Sequence, residues 1–156
     1  MTSLSAGDQA PDFDLPAHDG SRVVLSELVG SGKGAIVYFY PKAATPGCTT
    51  EACDFRDNEA ALAAAGYSLV GISADPVADL ESFAADNHVT FPFASDEDHA
   101  VGDAYGTWGT HETPFGVQTG NKRSTFVVDP EMRLTHVEYG VDPNGHVARL
   151  REVLGA

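Results

Sequence analysis

Pro41-Lys42-Ala43-Ala44-Thr45-Pro46-Gly47-Cys48-Thr49-Thr50-Glu51-Ala52-Cys53 is the stretch around which the chain is organised, and it holds both cysteines of the protein, five residues apart. Ahead of it runs Ala35-Ile36-Val37-Tyr38-Phe39-Tyr40, apolar, β-branched and aromatic, which predicts a buried strand. Behind it, Glu51 through Ala65 reads as a helix. Cys48 thus falls where a strand passes through a Pro/Gly loop into the first turn of a helix. The first N–H groups of a helix are unpaired and its dipole is positive there, so a thiolate at Cys48 would be stabilised. Pro46 suits the start of that helix, having no N–H to leave unpaired and a φ that is already helical.

Outward from this centre, strand and helix patterns alternate. Residues 12–25 read as an N-terminal hairpin turned at Asp19-Gly20, and Ser26 to Gly30 as one short helical turn capped by Ser26. Tyr67 to Ser73 is a second buried strand. Asp75-Pro76 opens a helix to about Asp86, with Asp75 as its cap and Pro76 at its first position. A short strand, 89–94, is interrupted by Pro92, and Asp96 can cap a helix running to Tyr105. Gly106 to Lys122 reads as a long Gly/Thr-rich connection in which Trp108 and Phe115 either line a pocket or anchor the loop. Residues 124–129 and 134–139 form an antiparallel pair, and a helix over 146–154 closes the chain. The pattern predicts one α/β domain over residues 1–156, a central mixed sheet with helices on both faces. A redox-type cysteine at the end of a central strand favours a thioredoxin-like fold, with a flavodoxin-like layout as the alternative.

Composition narrows the chemistry. The formal net charge is −14, from 23 acidic against 9 basic residues, and such a surface repels phosphate backbones and anionic lipid. Nucleic acid and membrane partners are therefore not expected. No apolar stretch approaches the roughly 20 residues of a membrane span, and residues 1–10 lack the pattern of a signal peptide. A cytoplasmic location is expected, where neighbouring cysteines are more often catalytic than structural. Two cysteines and six scattered histidines make no four-ligand zinc pattern.

Cys48 and Cys53 on one continuous helix would have Cα atoms about 8.6 Å apart, whereas a disulfide wants less than about 7 Å. If the two bond, the first turns of the helix must unwind. A dithiol exchanger of the thioredoxin type needs Cys-x-x-Cys, and the residue three before Cys48 is Thr45. Three readings remain at this point: a thiol acting on an oxygen substrate that the Thr45 hydroxyl can hydrogen-bond, a protein dithiol–disulfide oxidoreductase, and a redox switch or holdase without turnover.

Pro41-x-x-x-Thr45-x-x-Cys48 resembles the active-site signature of peroxiredoxins, and residues 40–57 are similar to the bacterioferritin comigratory protein, or peroxiredoxin Q, subfamily. The likeness extends to Ala10-Pro11-Asp12-Phe13, Gly71-Ile72-Ser73-Ala74-Asp75 and Arg123-Ser124-Thr125-Phe126-Val127-Val128-Asp129, with departures at Ala43-Ala44 and over 110–118. The resemblance implies a thioredoxin-like fold and a thiol peroxidase acting on hydrogen peroxide and organic hydroperoxides. Cys48 would be the peroxidatic residue and Cys53 the resolving one, joined as an intrachain disulfide during turnover. Thr45, by its hydroxyl, would hold the peroxide together with the Cys48 N–H. Arg123 would stabilise the thiolate and the departing oxygen, and Pro41 would shield the site; taken alone, Arg123 beside Lys122 reads as a solvated strand end. The resemblance further implies no metal, haem or flavin cofactor, reduction by thioredoxin or a glutaredoxin-like donor, and a monomer.

Overall fold

The computed structural model describes residues 3–30, 32–113 and 116–156. Its centre is a five-stranded sheet of β3 (Gly34–Phe39), β4 (Tyr67–Ser73), β5 (Phe93–Ser95), β8 (Ser124–Val128) and β9 (Leu134–Tyr139), in the order β5-β4-β3-β8-β9. The β3–β4 and β4–β5 pairs are parallel, and the β3–β8 and β8–β9 pairs antiparallel. The sheet is mixed because βαβ crossovers build one half and a tight turn the other. Every residue of β3 is buried, and its side chains alternate between two cores. Ile36 and Tyr38 face one, and Ala35, Val37 and Phe39 the other.

The first core is covered by α2 (Pro46–Ala64), α3 (Val77–Asp86) and α5 (His146–Leu154), through Ala52, Phe55, Leu62, Leu80, Phe83, Val147 and Leu150. The second is covered by the hairpin β1 (Asp14–Pro16) and β2 (Arg22–Val24), by α1 (Leu25–Leu28), and by Tyr105 at the end of α4 (Ala100–Tyr105). The mixed sheet covered on both faces is what the element order predicts, and the arrangement is the thioredoxin-like one that the position of Cys48 and the family resemblance favour over a flavodoxin-like layout, with the N-terminal hairpin in place.

Four local expectations are corrected. The segment 106–122 is not an open connection: β6 (Trp108–Thr113) and β7 (Gly116–Asn121) pair as an antiparallel ribbon. Its threonines supply strand propensity, with Thr110 facing Thr119 at 3.2 Å between hydroxyls. Both faces of β7 are largely exposed, so the alternation of apolar and polar residues that reveals a strand is missing. Trp108 anchors the ribbon by stacking on His99, with ring centroids 4.3 Å apart; Phe115 lies outside the described residues.

Ser26 does not cap α1, which begins at Leu25 with no side-chain cap. Instead Asp12 Oδ1 accepts from the Ser26 N–H at 3.0 Å. Asp75 does not cap α3 either, since the N-cap is Pro76. Its buried carboxylate is engaged elsewhere, accepting from the Ala43 N–H at 2.8 Å and the Ser73 hydroxyl at 2.7 Å. Asp96 is not the N-cap of α4 either, which is His99, but it reaches the first turn from outside, its two oxygens accepting from the N–H groups of Val101 and Gly102 at 3.2 and 2.8 Å.

Candidate active site

The loop between β3 and α2 is shaped by a few specific contacts. The Ala43 N–H is tied to Asp75, and Ala44 takes a left-handed conformation with φ of 64°. Thr45 is the N-cap of α2 with extended backbone, and Pro46 occupies the first helical position. The Thr45 hydroxyl donates to the Lys42 carbonyl at 2.8 Å, and the Thr49 hydroxyl donates to the Thr45 carbonyl at 2.9 Å. Thr45 Oγ therefore has its proton engaged and its lone pairs free to accept. Pro41 is exposed on the same loop.

Cys48 is the third residue of α2 and only 2% exposed. One turn on, Glu51 is fully buried. A helix turns about 100° per residue, so position +3 returns to within about 60° of Cys48 and both side chains share a face. Position +5 falls about 140° away, which carries Cys53 to another side of the helix. Both cysteines are free thiols, Cys48 buried and Cys53 half-buried.

Arg123 meets the shared face of Cys48 and Glu51 from the start of β8. Its Nη1 donates to Glu51 Oε1 at 2.8 Å and its Nη2 to Cys48 Sγ at 3.4 Å, with the side chain 13% exposed. The Arg123 carbonyl accepts from the Val141 N–H at 2.9 Å, which pins the backbone behind the guanidinium. Gly47 gives it room: a Cβ there would lie 3.0 Å from Nη2 and 3.5 Å from the Pro143 ring. Any larger residue would press on the contact with Cys48.

Burial and charge oppose each other at this cluster. Desolvation pushes the Glu51 carboxyl up to about 7, against the lowering effect of Arg123. On Arg123 burial also disfavours the charge, yet Cys48 and Glu51 prevail and hold its pKa above the ordinary value. Glu51 Oε2 has no hydrogen-bond partner among the described residues. That oxygen can take a proton while Oε1 stays bonded to Arg123. Behind the site His146 is buried, its Nε2 2.8 Å from the Thr125 hydroxyl and its Nδ1 3.7 Å from Glu138 Oε2. Burial pulls its pKa down to about 4 in spite of Glu138.

The structure thus brings Cys48 and Arg123 into contact and places Thr45 one helical turn before Cys48, while Cys53 and Pro41 stand apart from the pair. Glu51 and His146 were not singled out by sequence reasoning. Glu51 had a signal, since a carboxylate at +3 from Cys48 shares its face. An open cleft of about 780 Å³, lined in part by His18, Glu81 and His88, does not include Cys48. Among the described residues no group of three or more His, Cys, Asp or Glu side chains is placed to hold a metal ion, and no helix is long and apolar enough to cross a membrane.

A thioredoxin-like fold whose buried cysteine opens a helix and faces an arginine defines a thiol peroxidase. The chain belongs to the AhpC/TSA family, whose model matches residues 6–137. It is 42% identical to peroxiredoxin Bcp of Escherichia coli over 137 residues, covering 88% of this chain and 86% of that one. Among solved structures it superposes on peroxidoxin BcpB of Mycobacterium tuberculosis with TM-score 0.84 and 33% identity over 97% of both chains. It also matches the bacterioferritin comigratory protein of Xanthomonas campestris, studied for alkyl peroxide reduction, with TM-score 0.83 and 30% identity over 92% of this chain and 90% of that one. The resemblance read from residues 40–57 is the relationship these comparisons find.

Proposed function

We propose that the chain acts as a single domain that reduces hydrogen peroxide and small organic hydroperoxides through Cys48. The observation that carries this reading is the Arg123 guanidinium 3.4 Å from Cys48 Sγ and 2.8 Å from Glu51. A fixed cation at this distance can pair with the sulfur as it attacks and remains to stabilise the charge that develops on the peroxide oxygens. The thiolate sulfur attacks one oxygen, the O–O bond breaks, and the other oxygen leaves and takes a proton as water or an alcohol. Cys48 becomes a sulfenic acid. Thr45 Oγ accepts a hydrogen bond from the peroxide, and the Cys48 N–H, in the unpaired first turn, donates one. Pro41, at the rim, limits access of water and bulk thiols.

Cys53 then resolves the sulfenic acid as an intrachain disulfide, which makes this an atypical two-cysteine enzyme. A dithiol protein, thioredoxin or a glutaredoxin-like donor, reduces it in the cytoplasm, and the enzyme works as a monomer without a cofactor. The test is stopped-flow mixing of the reduced protein with hydrogen peroxide, followed by mass analysis of the quenched product. Rapid stoichiometric loss of thiols with a Cys48–Cys53 disulfide is the expected result, and Cys48→Ser abolishes it. Reaction at the rate of an ordinary free thiol, or rapid consumption by Cys48→Ser, would overturn the reading.

A further inference from the structure

The resolving thiol does not rest loose on the helix. Cys53 Sγ lies 3.7 Å from Oδ1 of Asn87, the residue that ends α3. Asn87 is itself held on two other sides. Its Nδ2 donates to the Phe83 carbonyl at 2.9 Å, which turns Oδ1 toward Cys53. Its carbonyl accepts from Arg56 Nη1 at 2.6 Å. Arg56 lies one turn beyond Cys53 on α2, and a cation on the last carbonyls of a helix is favoured by the helix dipole. Phe83, the third element of this frame, is in the core. Asn87 thus presents a fixed acceptor to Cys53, and only the S–H form can donate to it; a thiolate cannot.

We propose that Asn87 is a positioning residue that holds Cys53 as a resting thiol on the α3 side of the helix, and so sets the competition between disulfide formation and over-oxidation. The proposal rests on the reading of Cys53 as the resolving residue. In that step the Cys53 sulfur attacks the Cys48 sulfenic sulfur. The S–S bond forms, the S–O bond breaks, and the hydroxyl leaves with the Cys53 proton as water. Before this can happen Cys53 must leave Asn87 and turn through about 140° toward the Cys48 face. While it is held, a second peroxide can meet the sulfenate: the sulfenate sulfur takes one oxygen, the O–O bond breaks, and sulfinate and water are formed. Arg56, one turn beyond Cys53, ties α2 to the Asn87 carbonyl, so the segment that must move ends before it.

The test compares Asn87→Ala with Asn87→Asp in single turnovers, reading two quantities. One is the rate of disulfide formation relative to the first oxidation of Cys48; the other is the division between disulfide and sulfinate as hydrogen peroxide is raised. Asn87→Ala removes the acceptor. Release of one hydrogen bond should speed resolution about two- to tenfold and raise by a similar factor the peroxide concentration that gives half over-oxidation. Asn87→Asp gives up the Nδ2 donor to the Phe83 carbonyl but turns the acceptor into a carboxylate, which binds the Cys53 S–H more strongly, so it should shift both quantities the other way. A merely structural disturbance would move the two variants in the same direction, and that result, or no movement in either, overturns the proposal while leaving the resolving role of Cys53 intact. Absence of any Cys48–Cys53 disulfide in the unsubstituted protein would overturn both.

Discussion

Replacing Glu51 with Gln should make the stability of the fold climb with pH relative to that of the unsubstituted protein. Two buried groups of opposite kind lie close to the site. The Glu51 carboxyl is raised from 4.5 to about 7, so the folded protein holds its proton more tightly than the unfolded chain does. Its contribution is complete below pH 4.5 and is lost as pH rises through about 7. His146 is lowered from 6.5 to about 4, so its contribution is complete above pH 6.5 and is lost as pH falls through about 4. Each shift of roughly 2.5 units corresponds to about 3 kcal/mol across its window. The windows overlap from 4.5 to 6.5, and there the two slopes cancel. Gln at position 51 keeps an oxygen for Arg123 but no longer titrates, which removes one slope and leaves the other. The stability of Glu51→Gln minus that of the parent should therefore rise by about 3 kcal/mol between pH 4.5 and 7, equivalent to roughly 1–3 M in urea midpoint. His146→Asn should give the mirror result, the difference falling between pH 4 and 6.5. Urea unfolding followed by far-UV circular dichroism, under reducing conditions at one-unit pH steps, reads both. A difference curve for Glu51→Gln that is level within about 0.5 kcal/mol, or that falls with pH, would refute the reading of Glu51 as a buried carboxyl whose proton the folded protein holds more tightly than the unfolded chain.

The remaining predictions concern turnover. Arg123→Ala removes the donor at 3.4 Å from Cys48 Sγ and should slow the first oxidation by roughly 100-fold or more in stopped flow, with Arg123→Lys recovering only part because a single ammonium cannot bridge Cys48 and Glu51 together; an unchanged rate in Arg123→Ala would demote it to a surface residue. Gly47→Val should slow the same step by about tenfold, since a Cβ 3.0 Å from Nη2 pushes the guanidinium off the sulfur at a cost near 1–2 kcal/mol; Gly47→Ala should do so less, and equal rates for all three would show that Gly47 is not the spacer. Cys53→Ser should complete one oxidation and then stop in an assay coupled to thioredoxin, and undiminished coupled turnover would remove Cys53 from the cycle.

The fold was largely legible because its central strands are buried on both faces. In β3 and β8 every residue is buried, and runs such as Ala35 to Phe39 stand out as apolar segments whatever they pair with. The β6–β7 ribbon escaped for the opposite reason. It packs little of its surface, so strand pairing there rests on threonine propensity and cross-strand contacts that leave no apolar period in the sequence. Asp75 and Ser26 were misjudged because capping propensity is local. The Asp75 carboxylate is taken by the distant Ala43 N–H, 32 residues away in the chain, and a long-range partner of that kind cannot be read from neighbours. The Cys48–Arg123 contact spans 75 residues and entered the sequence reading only through family resemblance. Glu51 could have been found from helical phase alone.

Helical phase also explains why one helix carries both thiols out of register. The face of α2 one turn beyond Cys48 is taken by Glu51, which holds Arg123 in place through its 2.8 Å bond. A second cysteine at +3 would displace that carboxylate and leave the guanidinium without its partner. Placed at +5, Cys53 avoids the conflict but reaches Cys48 only if the first turns of α2 come apart. The sequence of those turns is suited to this. Thr45 makes no side-chain capping bond, Gly47 lies within the helix, and Thr49-Thr50 are β-branched. Relative to alanine, Gly47, Thr49 and Thr50 together weaken the turn by roughly 2 kcal/mol. Beyond Cys53 the character changes: Phe55 and Leu62 are fully buried in the core, and Arg56 is tied to the end of α3. If the proposed disulfide forms, these contacts confine the opening to the segment between Pro46 and Cys53 and leave the remainder of α2 on the sheet.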